Sequence, residues 1–185
     1  MPTDQSYLGV GTVLIAEPFA KDAMFGRSVV LICHYDKEGA LGLILNKPAA
    51  NPFEEDPDHP LSGFHFFGGG PMDTNSMFFV HTLTYLKNSF LLKDGICWQG
   101  EYEALVDAID ESAFRNDNGR LLVGYAGWSE NQLETEIANE EWMLYNGPID
   151  FILKTDPALL WKELLQRMGP YYKMVSNFPA DPNLN

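Results

Sequence analysis

Ser28-Val-Val-Leu-Ile-Cys-His-Tyr35 is the stretch on which the fold turns, because five apolar, mostly β-branched or aliphatic residues run unbroken from Val29 to Cys33. A strand with one wet face would alternate polar and apolar residues; this one predicts a strand covered on both faces. Asp36-Lys37-Glu38-Gly39 supplies a turn, and Ala40 to Asn46 returns as a strand ending at Lys47-Pro48, so the pair reads as a hairpin. Upstream, Gly11 to Ala16 reads as a strand stopped at Glu17-Pro18, since proline cannot donate to a central ladder. Downstream, Asn51 to Pro60 carries three prolines with Glu54, Glu55, Asp56 and Asp58, a composition that predicts a solvated loop without packing. Phe64 to Phe67 and Ser76 to Leu83 read as strands around Gly68-Gly69-Gly70-Pro71, followed by a short pair at Ser89 to Leu92 and Ile96 to Trp98.

The apolar period then changes. Tyr102, Leu105, Val106, Ile109 and Ala113 recur at spacings of three and four, which predicts an amphipathic helix over Glu101 to Phe114. Arg120 to Ala126 reads as a strand. Ser129 with Gln132 forms a capping box for a second helix, with Leu133 and Ile137 inward and Gln132, Glu136 and Asn139 on its polar face. Asp156-Pro157 opens a third helix through Leu160, Leu164 and Met168, closed by Gly169-Pro170. Strands first and helices later predict an α+β architecture with three helices covering a mixed sheet. No repeat or internal linker divides the chain, so residues 1–178 read as one domain and residues 179–185 as a flexible tail.

The chain has 185 residues, 45% of them apolar, enough to bury roughly two-thirds of its unfolded surface. Twelve basic residues against 26 acidic ones give a net charge of −14. No two Lys or Arg lie closer than five positions, and none falls between Leu121 and Leu153, where six acids do. Direct binding to DNA needs basic side chains gathered on one face, and the field of this molecule opposes it; anionic membranes are disfavoured on the same ground. The apolar runs are too short to span a bilayer, and the N-terminus lacks the basic and apolar regions of a secretory signal, so the expected location is the cytoplasm.

Several groups invite a chemical reading beside a structural one. Cys33 lies in the most apolar strand, where a thiol is commonly an inert small hydrophobe, and adjacent His34 points to the opposite face unless a bulge intervenes. Cys33 with His34 or His81 would be the catalytic set of a thiol-dependent enzyme or small hydrolase. Cys33 and Cys97 show no zinc spacing, and His34, His59, His65 and His81 show no ligand pattern, so neither metal nor cofactor is expected. Gly68-Gly69-Gly70 reads either as a tight turn or as a loop offering amides to an anion, without the Lys-Ser/Thr of a phosphate loop. In Gly124-Tyr125-Ala126-Gly127-Trp128, a strand passing into a capped helix places an indole at the strand's carboxyl end, either as a core plug or at a ligand crevice.

These residues resemble the AlgH/YqgE proteins of bacteria. The matching stretches are Gly11 to Pro18, Phe25 to His34, Gly39 to Pro48, Phe67 to Pro71, Val80-His81, Leu122 to Trp128 and Gln132 to Glu136, with Asn139 and Trp142 after them, all in order. The triple glycine departs from the two that the family usually shows. The resemblance implies an α+β fold of mixed β-sheets curled toward a pseudo-barrel, strand-rich in its N-terminal half. The family's name comes from a proposed role in transcriptional control, and no agreed reaction goes with it. The resemblance implies little chemistry. Because the shared motifs are polar or glycine-rich residues at predicted strand ends, where packing alone does not demand them, the first reading is a regulatory or binding module in which Arg27, Asn46, Gly68, Gly69, Gly70, Trp128, Gln132, Glu136 and Asn139 contribute to a site for a small molecule or protein partner. The thiol enzyme is the alternative, and a third reading is that the motifs are only what the sheet needs to fold.

Overall fold

Val29, Leu31 and Cys33 point one way from their strand and Val30 and Ile32 the other, and both sets are buried, each in a separate apolar cluster. This strand, β2 (Val29–Asp36), sits inside the sheet between β1 (Val13–Ala16) and β3 (Gly39–Ile44), with antiparallel pairing on each side. The computed structural model describes residues 8–18 and 25–178; the expected tail at 179–185 lies outside them. The remaining strands are β4 (Pro48–Ala49), β5 (Phe66–Gly68), β6 (Met72–His81), β7 (Phe90–Lys93), β8 (Ile96–Trp98), β9 (Gly119–Ser129) and β10 (Trp142–Tyr145). They form one sheet in the order β10-β1-β2-β3-β9-β6-β8-β7, with β5 pairing β9 and β4 pairing β5 off that path. All pairs are antiparallel except β5 with β9, so the sheet is mixed, and its ends at β10 and β7 leave it open. Among the described residues eight strands precede the first helix, which is the α+β arrangement expected.

Among the described residues four helices, one more than expected, cover the sheet: α1 (Tyr102–Asp110), α2 (Gln132–Ala138), α3 (Pro157–Arg167) and α4 (Pro170–Val175). Gly169-Pro170 does close α3, but the fixed φ of Pro170 also suits the first turn of the next helix, and α4 starts there. Leu160, Trp161, Leu164 and Leu165 of α3 pack on the Leu31 face, and the Trp161 indole donates to the Ala16 carbonyl at 3.0 Å. Leu133 and Ile137 of α2 pack on the opposite, Ile32 face. Leu105 and Ala108 of α1 join a third cluster with Phe66, Phe79 and Leu121. The acidic loop is solvated at Glu54, Glu55, Asp56 and Asp58, yet it does pack: Phe53 stacks on His59 with centroids 3.8 Å apart and abuts that third cluster, while Asn51 donates to the Leu61, Ser62 and Phe64 carbonyls.

The triple glycine is a crossing of two backbones. Gly68 ends β5, the Gly68 and Gly69 amides donate to the Lys47 and Val123 carbonyls at 2.8 Å, and the chain then passes over β9. A Cβ on Gly69 would lie 2.2 Å from the Gly124 oxygen, and one on Gly124 would lie 2.5 Å from the Gly70 oxygen, with Gly124 at φ +71°. No other residue permits that approach.

Arg120 joins the parts. The residue is 2% exposed, and its guanidinium donates to the carbonyls of Leu45 at 2.7 Å, Ile152 at 2.8 Å and Thr155 at 2.8 Å, with Phe67 5.4 Å beneath it. Replacing Arg120 with Met keeps the apolar stem and withdraws the donors from three carbonyls, each worth about 1–3 kcal/mol when buried and unpaired. The expected outcome is a loss of about 3 kcal/mol, read as a fall of roughly 6–12 °C in the thermal midpoint; an unchanged midpoint contradicts the role.

Candidate functional site

Ala126 and Trp128 alternate inward on β9 while Gly127 and Ser129 face out, so the Trp128 side chain enters the Ile32-face cluster. Gly42 on the neighbouring β3 makes room for it: a Cβ there would stand 3.2 Å from the indole and 2.5 Å from Val30. Trp142 opens β10 opposite Ala16 and meets Trp128 edge to face, with centroids 6.1 Å apart at 79°, and Phe25 packs edge-on against Trp142 at 5.6 Å. The link between β9 and β10 is α2, which carries Glu136 to both rings. Its Oε2 accepts the Trp128 indole N–H at 2.7 Å and that of Trp142 at 2.8 Å, while Oε1 accepts from the Gln132 amide at 2.9 Å. Gln132 in turn accepts the Ser129 N–H at 3.0 Å and the Ser129 hydroxyl at 3.2 Å. Tyr35 fastens the helix to β2 through its hydroxyl on Glu134, and that bond, with burial, pushes the phenol up to about 12.

A cavity of about 650 Å³ opens here, walled by Phe25, Met72, Gly127 and the two indoles, with Glu136 and Asn139 beside them. Glu17, Glu140 and Glu141 also line it, and no Lys, Arg or His does among the described residues. The three groups donating to Glu136 are neutral, so its charge is oriented without being cancelled. Glu140 sits at φ +62°, a left-handed position that follows the end of α2. The Glu140 N–H reaches the Ile137 carbonyl and the Glu141 N–H the Glu136 carbonyl, the helix ending in which glycine is the usual residue.

Of the residues expected at a site, Trp128, Gln132, Glu136 and Asn139 come together in this cavity. Gly68, Gly69 and Gly70 do not line it, although Pro71 and Met72 directly after them do. Arg27 and Asn46 meet each other instead. Asn46 accepts the Val29 N–H at 2.8 Å and donates to the Arg27 carbonyl at 2.9 Å, while the Arg27 guanidinium lies 4.8 Å over Trp161 and donates to Phe178. The capping box is half formed. Gln132 reaches back to Ser129, but the residue preceding α2 is Asn131 in a left-handed conformation, whose side chain makes no capping bond. Sequence reasoning did not predict β10, and with it missed Trp142 as a site residue; the apolar run Trp142 to Tyr145 was the available signal.

Cys33 falls at a bulge where the β2–β3 register shifts, yet it and His34 still face apart. The thiol is 4% exposed in the core with its pKa pushed up by burial, and the exposed His34 pairs with Asp36 at 3.0 Å. His81 is fully buried, its Nδ1 accepting from the Leu83 N–H and its Nε2 donating to the Gln99 carbonyl, so both nitrogens are committed in the neutral form. No cluster of three or more His, Cys, Asp or Glu among the described residues converges as a metal site.

Two outcomes are expected. Iodoacetamide at neutral pH leaves Cys33 unmodified in the folded protein and alkylates it once the chain is denatured; rapid native labelling would reinstate the thiol as a nucleophile. Burial lowers the His81 pKa below its ordinary 6.5, so under acid the unfolded chain takes that proton first, and stability falls as pH drops below 6.5. Urea unfolding across that range is therefore less pH-dependent in His81→Gln than in the unchanged protein.

The model of the AlgH-like family matches residues 13–173. A UPF0301 protein of Cytophaga hutchinsonii is 36% identical over 95% of this chain and 98% of its own length, and one of Bacteroides fragilis is 34% identical over 95% and 90%. Among solved structures, the crystal structure of Corynebacterium diphtheriae protein DIP2367 superposes with a TM-score of 0.72 at 22% identity, covering 92% of this chain and 93% of that one. The solution structure of AlgH from Pseudomonas aeruginosa gives 0.65 at 23%, covering 91% and 93%. These two likenesses establish the fold, and no described helix is long and apolar enough to cross a membrane. With the family model spanning most of the sheet and helices, the chain belongs to the AlgH-like family.

Proposed function

We propose that the protein is a cytoplasmic, single-domain binding module, regulatory in output and without a reaction of its own, whose ligand occupies the cavity between the end of β9, α2 and β10. The observation that carries this reading is Glu136, a half-buried carboxylate held by two indole N–H groups and an amide inside a concave, aromatic-walled space. Its volume of about 650 Å³ falls in the range of small-molecule sites. An apolar residue at that point would leave both buried indole N–H groups unpaired, and a neutral acceptor would satisfy them as well as a carboxylate does; the charge is what packing does not require, and fixed polar groups in an apolar wall are what orient a ligand. Any influence on transcription then runs through that ligand or through a protein partner, because a net charge of −14 opposes contact with DNA.

Thermal unfolding of the full chain against a panel of nucleotides, amino acids, amines and organic acids tests this. A ligand at 100 times its dissociation constant adds about 2.7 kcal/mol, a rise of roughly 5–10 °C for a domain of this size. Trp128 and Trp142 are two of the four tryptophans, so indole fluorescence reports the same event. The rise is expected to be lost in Trp128→Ala and reduced in Asn139→Ala; a response that survives both places the ligand elsewhere.

A further inference from the structure

We infer that the cavity at Trp128 and Trp142 takes a small organic cation, a molecule bearing an alkylammonium or guanidinium group. This rests on the reading of the cavity as a ligand site and adds the charge class of what enters it. Glu136, Glu140 and Glu141 line the space and no basic side chain among the described residues does, so the local field repels nucleotides and carboxylic acids and concentrates cations. None of these three carboxylates takes part in an ion pair among the described residues.

The walls match the same class. A cation is attracted to the face of an aromatic ring, most strongly to tryptophan, and two indoles and Phe25 meet at this cavity. Both indole N–H groups are spent on Glu136, so the two rings line the cavity as π-systems and offer it no free donor, and an N–H donated to a carboxylate enriches its ring in electron density. A carboxylate has about four acceptor positions. Three on Glu136 are taken by Trp128, Trp142 and Gln132, which leaves room for one N–H of a ligand. A bare metal ion does not fit this arrangement, since no set of three ligating side chains converges among the described residues.

Butane-1,4-diamine and agmatine are titrated into the full chain, followed by tryptophan fluorescence and thermal midpoint, beside butane-1,4-diol and succinate as neutral and anionic counterparts of the same length. The expected result is a saturable response to the diamine or agmatine alone, weakened by salt. Charge removal in Glu136→Gln, and in the exposed pair Glu140→Gln with Glu141→Gln, is expected to weaken it by about tenfold or more. The rim pair keeps the test open if Glu136→Gln fails to fold. Binding of the diol or succinate that is lost in Trp128→Ala overturns the cation assignment and leaves the ligand site standing. Silence from every amine overturns the assignment as well. Silence from the whole broader panel brings down the ligand site itself.

Discussion

A single buried guanidinium holds the layers of this fold in register. Arg120 sits at the start of β9, and the carbonyls it reaches belong to Leu45, just past the end of β3, and to Ile152 and Thr155, in the segment that leads into α3. Among the described residues no carboxylate hydrogen-bonds it; burial lowers its pKa to about 10, an effect opposed by the charge of Asp156. Burying a charge is expensive and is tolerated where its donors find good acceptors. Three of the five guanidinium N–H groups reach oriented backbone carbonyls, with the Phe67 ring beneath, and the requirement fixes where the 149–155 segment lies. That segment and α3 then cover the Leu31 face.

The second constraint is that β9 changes partners along its length. Leu121 to Val123 lie between β5 and β6, whereas Ala126 to Ser129 pair with β3. Gly124 stands at the change, where the chain from Gly69 and Gly70 crosses at backbone distance. Beyond Tyr125, which pairs with Met72, no strand among the described residues pairs with the β6 side of β9. The sheet therefore opens beside Gly127 and Trp128, and α2 and β10 close the opening only in part. The cavity is a product of the crossing.

The hairpin, the two-faced strand β2 and the inward faces of the helices were legible because they rest on local periodicity: Val29 to Cys33, Tyr102 to Ala113 and Leu133 with Ile137 each carry their own signal. The role of Arg120 was not, since one arginine opening an apolar strand looks the same whether it faces solvent or three carbonyls supplied from 32 to 75 residues away. The glycines were visible as a backbone requirement, but a turn and a crossing demand the same residue. Four of the nine expected site residues came together, because Trp128, Gln132, Glu136 and Asn139 lie on one strand end and the helix after it. Arg27 and Asn46 separated from them because their partners, Val29, Trp161 and Phe178, are set by tertiary packing.

The idea that the family-like motifs exist only to build the sheet explains part of this molecule well. Gly69, Gly70 and Gly124 are required by the crossing, Asn46 by the amide of Val29 and the carbonyl of Arg27, and none needs a ligand to account for it. Glu136 and Glu140 resist that account. A carboxylate bonded only to neutral donors retains a charge that the fold does not use, and a glutamate at φ +62° occupies a position where glycine relieves strain of about 1 kcal/mol. Both lie on the same cavity, with the exposed Glu141 between Glu140 and Trp142. Positive φ alone does not mark the place, since seven other described non-glycine residues share it and none of them lines this cavity; what the carboxylates here have in common is negative charge beside aromatic walls, and charge that the fold does not need at one concave place is where function is expected.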